Sequence, residues 1–204
     1  MVQLNYWLWI KIIPMKHAAL IESLKKYGTL TDKSIRLLKE SGEWRTVGKK
    51  IHLHYPGEFC KNLYFVNNGF FRYYEHVNDK DRTVGFSGSG EYMTSIESFF
   101  NRVSSRQGIV CESKAEIICL NYFAWKAMCE EDPEFNKISL NISIQKLIEC
   151  NRHLGIYASI NTKEKLSYLC SLYPGILNMV SQKSIASHFH VSEQAMSKII
   201  KKLK

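Results

Sequence analysis

The sequence lacks the features of a membrane-spanning or secreted protein. Its apolar amino-terminal stretch, residues 1–14, is interrupted by Lys11 and Pro14, whereas about 20 apolar residues are needed to cross a bilayer. No basic residue precedes Lys11, although a secretory signal requires one. We therefore predict a cytoplasmic protein with residues 1–14 as an amino-terminal extension. Either Met15 is the native start, or the extension packs on the domain as an arm.

Closely spaced cysteines and the signature motifs of enzymes are also missing. No two of the six cysteines are closer than Cys111 and Cys119, so the close pairs typical of structural zinc sites are absent. Nucleophile-elbow and phosphate-loop motifs are absent as well. We predict reduced thiols, no bound metal or other cofactor, and a protein that is not an enzyme.

Acidic residues and proline are scarce. The 204 residues include 4 Pro and 11 Gly, with 45% hydrophobic residues, which is typical of one or two globular domains and excludes a fibrous or disordered chain. The 19 acidic residues stand against 28 Lys and Arg, and the net charge of +9 favours an anionic partner. Residues 181–204 contain five lysines and one acid, Glu193. The charge is therefore concentrated at the carboxyl-terminal end.

Residues 44–120 have the pattern of an antiparallel β domain. Short runs rich in β-branched and aromatic residues alternate there with turn residues, and 13 of the 25 aromatic residues of the chain fall in this stretch. Asn67, Asn68 and Gly69 accept the positive φ of a tight hairpin, so they predict one between the first two strands. The predicted strands are residues 63–66, 70–74, 82–86, 107–112 and 115–120. A short helix within residues 27–41, with Thr31 as N-cap, precedes them.

A long helix is predicted after the β domain, from Pro133 to about Tyr157, with Asp132 as N-cap. One apolar stripe steps by four and three residues along it, and a second stripe (Ile138, Ile142, Ile148) lies on another side. We predict that one face packs on the β domain and the other on a second copy of the chain, which makes a homodimer; a core helix inside a monomer is the alternative. The residues assigned to this dimerisation helix are Ile138, Leu140, Ile144, Leu147, Asn151 and Leu154.

The last part of the chain has the spacing of a helix-turn-helix. Asn161 caps a shorter helix that ends before Pro174. Residues 182–201 then form two helices around a turn, with Ser192 as N-cap of the second. His190 stands in the turn where Gly is common, and we expect it in the left-handed conformation, which His tolerates better than most residues. Apolar residues from Ile185 to Ile199 form the wedge between them. Exposed polar groups at the start of the second helix would pair with base edges, and lysines would meet phosphates. The predicted DNA-binding residues are Lys183, Ser192, Glu193, Gln194, Ser197, Lys198, Lys201 and Lys202.

With these motifs together, the chain resembles the Crp/Fnr transcription regulators. The resemblance rests on Gly57-Glu58, residues 64–72 (YFVNNGFFR), residues 183–186 (KSIA) and residues 196–203 (MSKIIKKL). It implies an α+β fold with a cyclic-nucleotide-binding-like β-roll and flanking helices (15–131), a dimerisation helix (132–158) and a helix-turn-helix domain (159–204). It further implies a homodimer on a pseudo-palindromic site of double-stranded DNA, with RNA polymerase as a further partner.

The resemblance also locates an effector pocket. Family members that bind cyclic AMP hold its phosphate with a Gly-Glu pair and, about ten residues later, an Arg; here Thr94-Ser95 and Ser105 take those places. A slipped register would use Gly90-Glu91 with Arg102 but displaces the next strand. We expect no tight cyclic AMP binding. Another small-molecule effector and a regulator without an effector both fit the sequence. No cysteine precedes Cys60. The closely spaced amino-terminal cysteines that hold an iron–sulfur cluster in the oxygen-sensing branch of the family are therefore absent. The pocket residues are Thr94, Ser95, Glu97, Ser98, Ser105 and Arg106.

Two other functions remain open. His52, His54 and Glu58 have half the spacing of a cupin metal site, because alternate residues of a strand share a face; the other half, a later His with its Pro and Gly neighbours, is missing. His188 and His190 are interpreted as phosphate-facing or turn residues. The second alternative is a ligand-sensing or protein-interaction module whose terminal helices do not bind DNA.

Overall fold

The computed structural model describes residues 16–78 and 80–203, so the predicted extension, residues 1–14, lies outside it. The fold is α+β, as predicted. Its strands are β1 (Glu43–Val47), β2 (His52–His54), β3 (Asn62–Asn68), β4 (Phe71–Val77), β5 (Lys80–Ser87), β6 (Tyr92–Met93), β7 (Gln107–Cys111) and β8 (Ala115–Asn121). Its helices are α1 (Ala18–Lys25), α2 (Asp32–Ser41), α3 (Ile96–Asn101), α4 (Tyr122–Glu131), α5 (Pro133–Ser159), α6 (Thr162–Leu172), α7 (Ile176–Met179), α8 (Gln182–His188) and α9 (Glu193–Lys201).

The strands form two four-stranded antiparallel sheets, in the orders β1-β8-β3-β6 and β2-β7-β4-β5. Apolar side chains from both sheets make one core, in which Phe71, Ile109 and Ile117 have no exposed surface. Alternation along the strands puts these residues on the inner faces. This pair of sheets is the β-roll that the sequence predicted.

The prediction of a tight hairpin at Asn67, Asn68 and Gly69 is wrong. β3 pairs with β6 and β8, whereas β4 pairs with β5 and β7, so the chain crosses here from one sheet to the other. Gly69 has φ +113, and a Cβ there would lie 2.4 Å from the Cβ of Ala115. The glycine therefore serves a close crossing over β8 rather than a two-strand turn.

The long helix α5 begins where predicted, with Asp132 as N-cap. One carboxylate oxygen of Asp132 accepts hydrogen bonds from the hydroxyls of Thr31 and Ser34, at 2.5 Å each, and the other accepts from the Glu134 N–H at 3.0 Å. Burial opposes ionisation of this carboxyl, but the hydrogen bonds hold its pKa below the usual value. The cap thus joins α2 to the start of α5.

The first turns of α5 pack on the β-roll. Phe135 and Ile138 are buried in a second core with Leu38 and Leu120. Ile138, assigned above to the dimerisation face, has no exposed surface and would lie 2.9 Å from a Cβ placed on Gly28. It belongs to the intramolecular stripe, because the first turns of the helix are the part that the β-roll covers.

The carboxyl-terminal helices form a third core that includes two residues of the β-roll. Leu166, Leu169, Ile185 and Met196 are buried together with Phe70 and Phe86. Asn161 caps α6 in a reciprocal capping box with Glu164, at 3.1 and 3.0 Å. Among the described residues, no helix is both long and apolar enough to cross a membrane.

Candidate nucleic-acid interface and effector cavities

Helix α9 presents one polar face to solvent. The Ser192 hydroxyl accepts the Ala195 N–H at 3.1 Å and fixes the first turn, as the N-cap prediction requires. Predicted contact residues Glu193, Gln194, Lys198, Lys201 and Lys202 are exposed, and so is Lys183 on α8; Ser197 is half-buried. Within residues 16–78 and 80–203, none of these lysines has an acidic partner. Their charge is free for a ligand in solution.

The opposite face of α9 is anchored. Met196 is fully buried against Ile185 and Ala186 of α8, and the Gln182 side-chain amide donates to the Glu193 carbonyl at 3.0 Å. His190 in the connecting turn has φ +56, the left-handed conformation predicted for it. The exposed face is therefore held rigidly at a fixed angle to α8.

The two terminal helices dock on β5 through α8. The Thr83 N–H donates to the Ser187 hydroxyl at 3.1 Å, and that hydroxyl lies 3.4 Å from the Asp81 carbonyl. His188 lies between the rings of Phe86 and Tyr157, with centroids at 5.1 and 6.0 Å. Desolvation lowers the pKa of His188 to about 4. His188 is thus a neutral packing residue, not the phosphate-facing one suggested by its position in the sequence.

A polar cluster that sequence reasoning missed links the β-roll, α5 and the end of α6. The Tyr173 hydroxyl donates to the Phe86 carbonyl at 3.2 Å and lies 3.3 Å from the Glu91 carboxylate. Glu91 also accepts the Gly88 N–H at 2.8 Å and lies 3.7 Å from the Lys146 ammonium. Burial works against the charge of Lys146, but the hydrogen bond that its ammonium donates to Glu149 and the nearby Glu91 carboxylate raise its pKa above the usual value. Only the non-local packing brings these groups together.

Four of the six residues assigned to the predicted effector pocket line a cavity of about 630 Å³ beside α3. They are Thr94, Ser95, Glu97 and Arg106. The Ser95 and Ser105 hydroxyls lie 2.6 Å apart and are buried. Glu97 and Arg106 form an exposed ion pair at 3.3 Å. Two members of the set, Ser98 and Ser105, do not line the cavity. Ser98 is fully buried, where its hydroxyl accepts the Cys60 N–H and donates to the Val103 carbonyl.

The Glu91 and Arg102 side chains, which the slipped register would use, make contacts within the protein. Gly90 has φ +86 in the turn before β6, and Glu91 bonds to Gly88 and Tyr173. The Arg102 guanidinium lies 4.5 Å from the Tyr122 ring centroid and donates to the Cys60 carbonyl. Neither side chain lies at the start of α3.

A second, more apolar cavity of about 520 Å³ separates the β-roll from α5. Its walls include Met93, Phe100, Trp125, Ile142 and Tyr173, and its polar residues include Glu91, Lys146 and His153. Aromatic residues spread over the sequence line this cavity. No local sequence signal marks it.

Beyond its first turns, α5 leaves an apolar stripe in solvent. Leu140 is 59% exposed, Ile144 46%, Leu147 62% and Leu154 68%, and Asn151 is exposed beside them. Ile148, which belongs to the second predicted stripe, is 46% exposed as well. The residues of the stripe from Leu140 to Leu154 step by four and three, as in one seam of a coiled coil.

The histidines on β2 are used within the β-roll. His52 Nδ1 lies 2.8 Å from the Tyr74 hydroxyl, and its ring stacks on Tyr55. Buried His54 lies 3.8 Å from exposed Glu58, and desolvation lowers the pKa of the His54 imidazole. In the part of the chain that the structure describes, no three His, Cys, Asp or Glu side chains are grouped to hold a metal ion. The geometry gives the cupin alternative no support.

Comparison with known proteins supports the fold. Neither protein-family models nor curated proteins give a match. Among solved structures, the c-di-GMP responsive global regulator CLP of Xanthomonas campestris is 17% identical, with a TM-score of 0.65, over 85% of this chain and 91% of that one. A Crp/Fnr family transcriptional regulator from Eubacterium rectale is 11% identical, with a TM-score of 0.68, over 85% and 83%. The catabolite activator protein of Thermus thermophilus is 18% identical, with a TM-score of 0.53, over 89% and 86%.

Proposed function

We propose that the chain is a sequence-specific, DNA-binding transcriptional regulator of the Crp/Fnr type. The observation that carries the proposal is the exposed face of α9, where polar side chains and lysines without acidic partners are mounted on a buried anchor. Major-groove readout needs such a rigid helix. The similarity of the fold to Crp/Fnr regulators supports the same function.

In this proposal, two classes of contact divide the work on DNA. Glu193, Gln194 and Lys198 at the start of α9 read base edges, because their functional groups match the donors and acceptors of the major groove. Lys201 and Lys202 at the end of the helix, and Lys183 on α8, bind phosphates and supply affinity without sequence preference.

The proposed active form is a homodimer joined through α5. The exposed stripe from Leu140 to Leu154 has the spacing of a two-stranded seam, and an Asn at position 151 within it favours a parallel, in-register pair. A two-fold axis along this seam would present two α9 helices to successive major grooves, about 34 Å apart. In this scheme the β-roll domain ends near residue 131, and the DNA-binding domain begins near 159.

Cyclic AMP is not the proposed effector. In place of a guanidinium stands the buried hydroxyl of Ser105, which bonds to the hydroxyl of Ser95. The missing charged hydrogen bond is worth about 1.5 to 3 kcal/mol. Other effectors are open to a ligand screen, which should include c-di-GMP because one structurally similar regulator responds to it. RNA polymerase is a further proposed partner.

A second function class is a ligand-sensing module whose terminal helices bind no DNA. The apolar cavity of about 520 Å³ favours a sensing role, and it is compatible with either class. Salt-dependent binding to promoter fragments separates the two.

Two substitutions test the division of roles. Gln194→Ala should cost about 1 to 3 kcal/mol on the selected site and relax base preference at one position per half-site. Lys201→Ala should weaken binding to all sequences alike and lower the salt slope by about one per subunit. Fluorescence anisotropy with selected and scrambled duplexes measures both effects. Equal losses on every sequence for both variants would contradict the assignment.

A further inference from the structure

The apolar cavity between the β-roll and α5 changes in character along its length. Its wall on α5 extends from Phe135 to His153, a distance of about 27 Å at about 1.5 Å per residue. Apolar residues and two serines line the first part of this stretch, as far as Ser143. Lys146 and Glu149 line the part that follows. The cavity therefore has an apolar part near the start of α5 and a polar end near its middle.

The apolar part has aromatic walls. The rings of Phe100 and Trp125 meet edge to face, with centroids 5.1 Å apart, and Met93 and Ile142 lie in the same wall. The Trp125 Nε1–H donates to the Ser139 hydroxyl at 3.1 Å, so the polar group of this ring is already bonded. This part of the cavity is suited to the apolar tail of a ligand.

The Glu91 carboxylate at the polar end can accept a further hydrogen bond. Its Oε2 accepts the Gly88 N–H at 2.8 Å, whereas Oε1 lies 3.5 Å from the Tyr173 hydroxyl and 3.7 Å from the Lys146 ammonium. The Tyr173 hydroxyl has a single proton, which it donates to the Phe86 carbonyl at 3.2 Å. Because the Glu91 side chain lines the cavity and is 28% exposed, a donor on a ligand can reach Oε1.

The polar end has more negative than positive groups. The Lys146 ammonium pairs with the Glu149 carboxylate at 2.9 Å and also lies near Glu91, so one ammonium serves two carboxylates. Burial opposes ionisation of Glu149, but hydrogen bonds from Lys146 and Gln145 hold its pKa below the usual value. A cationic group is therefore favoured at this end over an anionic one.

We propose that this cavity binds an amphipathic primary amine, with its ammonium on Glu91 Oε1 and its apolar tail along Trp125 and Ile142. The cavity volume of about 520 Å³ falls in the range of ligand pockets. The site differs from the predicted effector pocket beside α3, because neither Ser95 nor Arg106 lines it. The inference deepens the proposed function, and it rests on that function where it makes the amine an effector.

An ammonium on Glu91 would lie beside the contacts that dock the terminal helices. Tyr173 and Phe86 line the cavity, and the Tyr173 ring meets the Phe70 ring edge to face at 5.1 Å. The Phe86 ring in turn contacts His188 of α8, with centroids 5.1 Å apart. A bound amine should therefore change the affinity for DNA, and DNA should change the affinity for the amine by the same factor.

Titration calorimetry with octylamine, octan-1-ol and octanoate tests the ligand class, because the three probes share a tail and differ in the head group. Measurement at about pH 8 keeps an ordinary histidine neutral. Octylamine should bind about tenfold more tightly than octan-1-ol, since a charged hydrogen bond is stronger than a neutral one. Octanoate should bind most weakly. Ile142→Trp, which fills the apolar part, should weaken all three probes.

Two charge-removing variants locate the head group. Glu91→Gln should reduce the affinity for octylamine about tenfold, to that of octan-1-ol, and leave the affinity for octan-1-ol unchanged. The matched control Glu97→Gln removes a carboxylate that lines the other cavity, and it should bind all three probes as the wild type does. Equal affinities for the three probes, tightest binding of octanoate, or no binding of any probe overturns the inference. So does a Glu91→Gln variant that binds octylamine as tightly as the wild type.

A second arm measures the affinity for a selected duplex with and without octylamine. The amine should change this affinity for the wild type and not for Glu91→Gln, and binding without this effect overturns the effector role. If the probes bind as predicted but the protein selects no DNA, the proposed function fails and the amine site stands. If the protein selects DNA and no probe binds, the amine site fails alone.

Discussion

The proposed dimer makes a quantitative prediction for Leu147. This residue lies near the middle of α5 and is 62% exposed in the monomer. Full burial of a leucine is worth about 1.5 to 3 kcal/mol, so covering the exposed part contributes about 1 to 2 kcal/mol in each copy. Leu147→Ala removes this contribution twice in a symmetric dimer. Its cost is then about 2 to 4 kcal/mol, which raises the dimer dissociation constant about 30- to 900-fold.

Sedimentation equilibrium over a range of protein concentrations measures this shift. Ile51→Ala is the matched control, because Ile51 is 55% exposed but lies in the loop after β1, away from α5. It should leave the dimer constant unchanged. DNA binding should weaken with Leu147→Ala below the new dimer constant and recover above it. A wild-type protein that stays monomeric, or a Leu147→Ala variant that dimerises as tightly as the wild type, would refute this use of the α5 stripe.

Three further predictions concern the β-roll and its contact with the terminal helices. Titration calorimetry should detect no micromolar binding of cyclic AMP. Micromolar binding would disprove the proposal that Ser95 and Ser105 leave the cyclic AMP phosphate without a charged partner. His188 has a pKa of about 4 in the folded protein against an ordinary 6.5, so the unfolded chain binds more protons between these two values. The contribution of His188 to the free energy of unfolding should therefore be constant above pH 6.5 and fall below it by up to about 1.4 kcal/mol per pH unit. In urea unfolding, His188→Phe should lose less stability than the wild type between about pH 7 and pH 5, and equal losses would count against this assignment. Gly108→Ala places a Cβ 2.4 Å from the buried Tyr74 ring and should lower the free energy of unfolding by about 1 to 3 kcal/mol. Gly85→Ala, whose Cβ would have its nearest neighbour 3.8 Å away, should lower it less. Similar thermal midpoints for the two variants would contradict the close packing of Gly108 on Tyr74.

Local signals in the sequence predicted the helices well. Asp132, Asn161 and Ser192 were expected as N-caps, and each accepts a backbone N–H at the expected helix start. His190 adopts the predicted left-handed turn. These features depend on a few neighbouring residues, so the chain encodes them within short windows.

Features that depend on distant partners were harder to predict. The Asn-Asn-Gly segment permits a tight hairpin, but the pairing of β3 with β8 and the close approach of Gly69 to Ala115 decide in favour of a crossing between sheets. Ile138 and Ile148 lie on one predicted stripe, yet only Ile138 is covered, because the β-roll reaches only the first turns of α5.

The candidate site divides in the same way. The exposed residues of α9 were identified from helical spacing alone. The pairing of Tyr173 with Glu91 and the docking of His188 on Phe86 join residues more than 80 positions apart, and no periodicity marks them. Such contacts follow only from the assembled fold.

Selection of bound sequences from a random pool of duplex DNA tests whether the protein reads DNA sequence as a symmetric dimer. It should enrich a two-fold symmetric motif whose half-sites are centred about one helical turn, roughly 10 base pairs, apart. Binding to this motif should be tighter than binding to a scrambled duplex by about 10³-fold or more at physiological salt. A pool without an enriched motif, bound only through charge, would contradict sequence-specific recognition by α9.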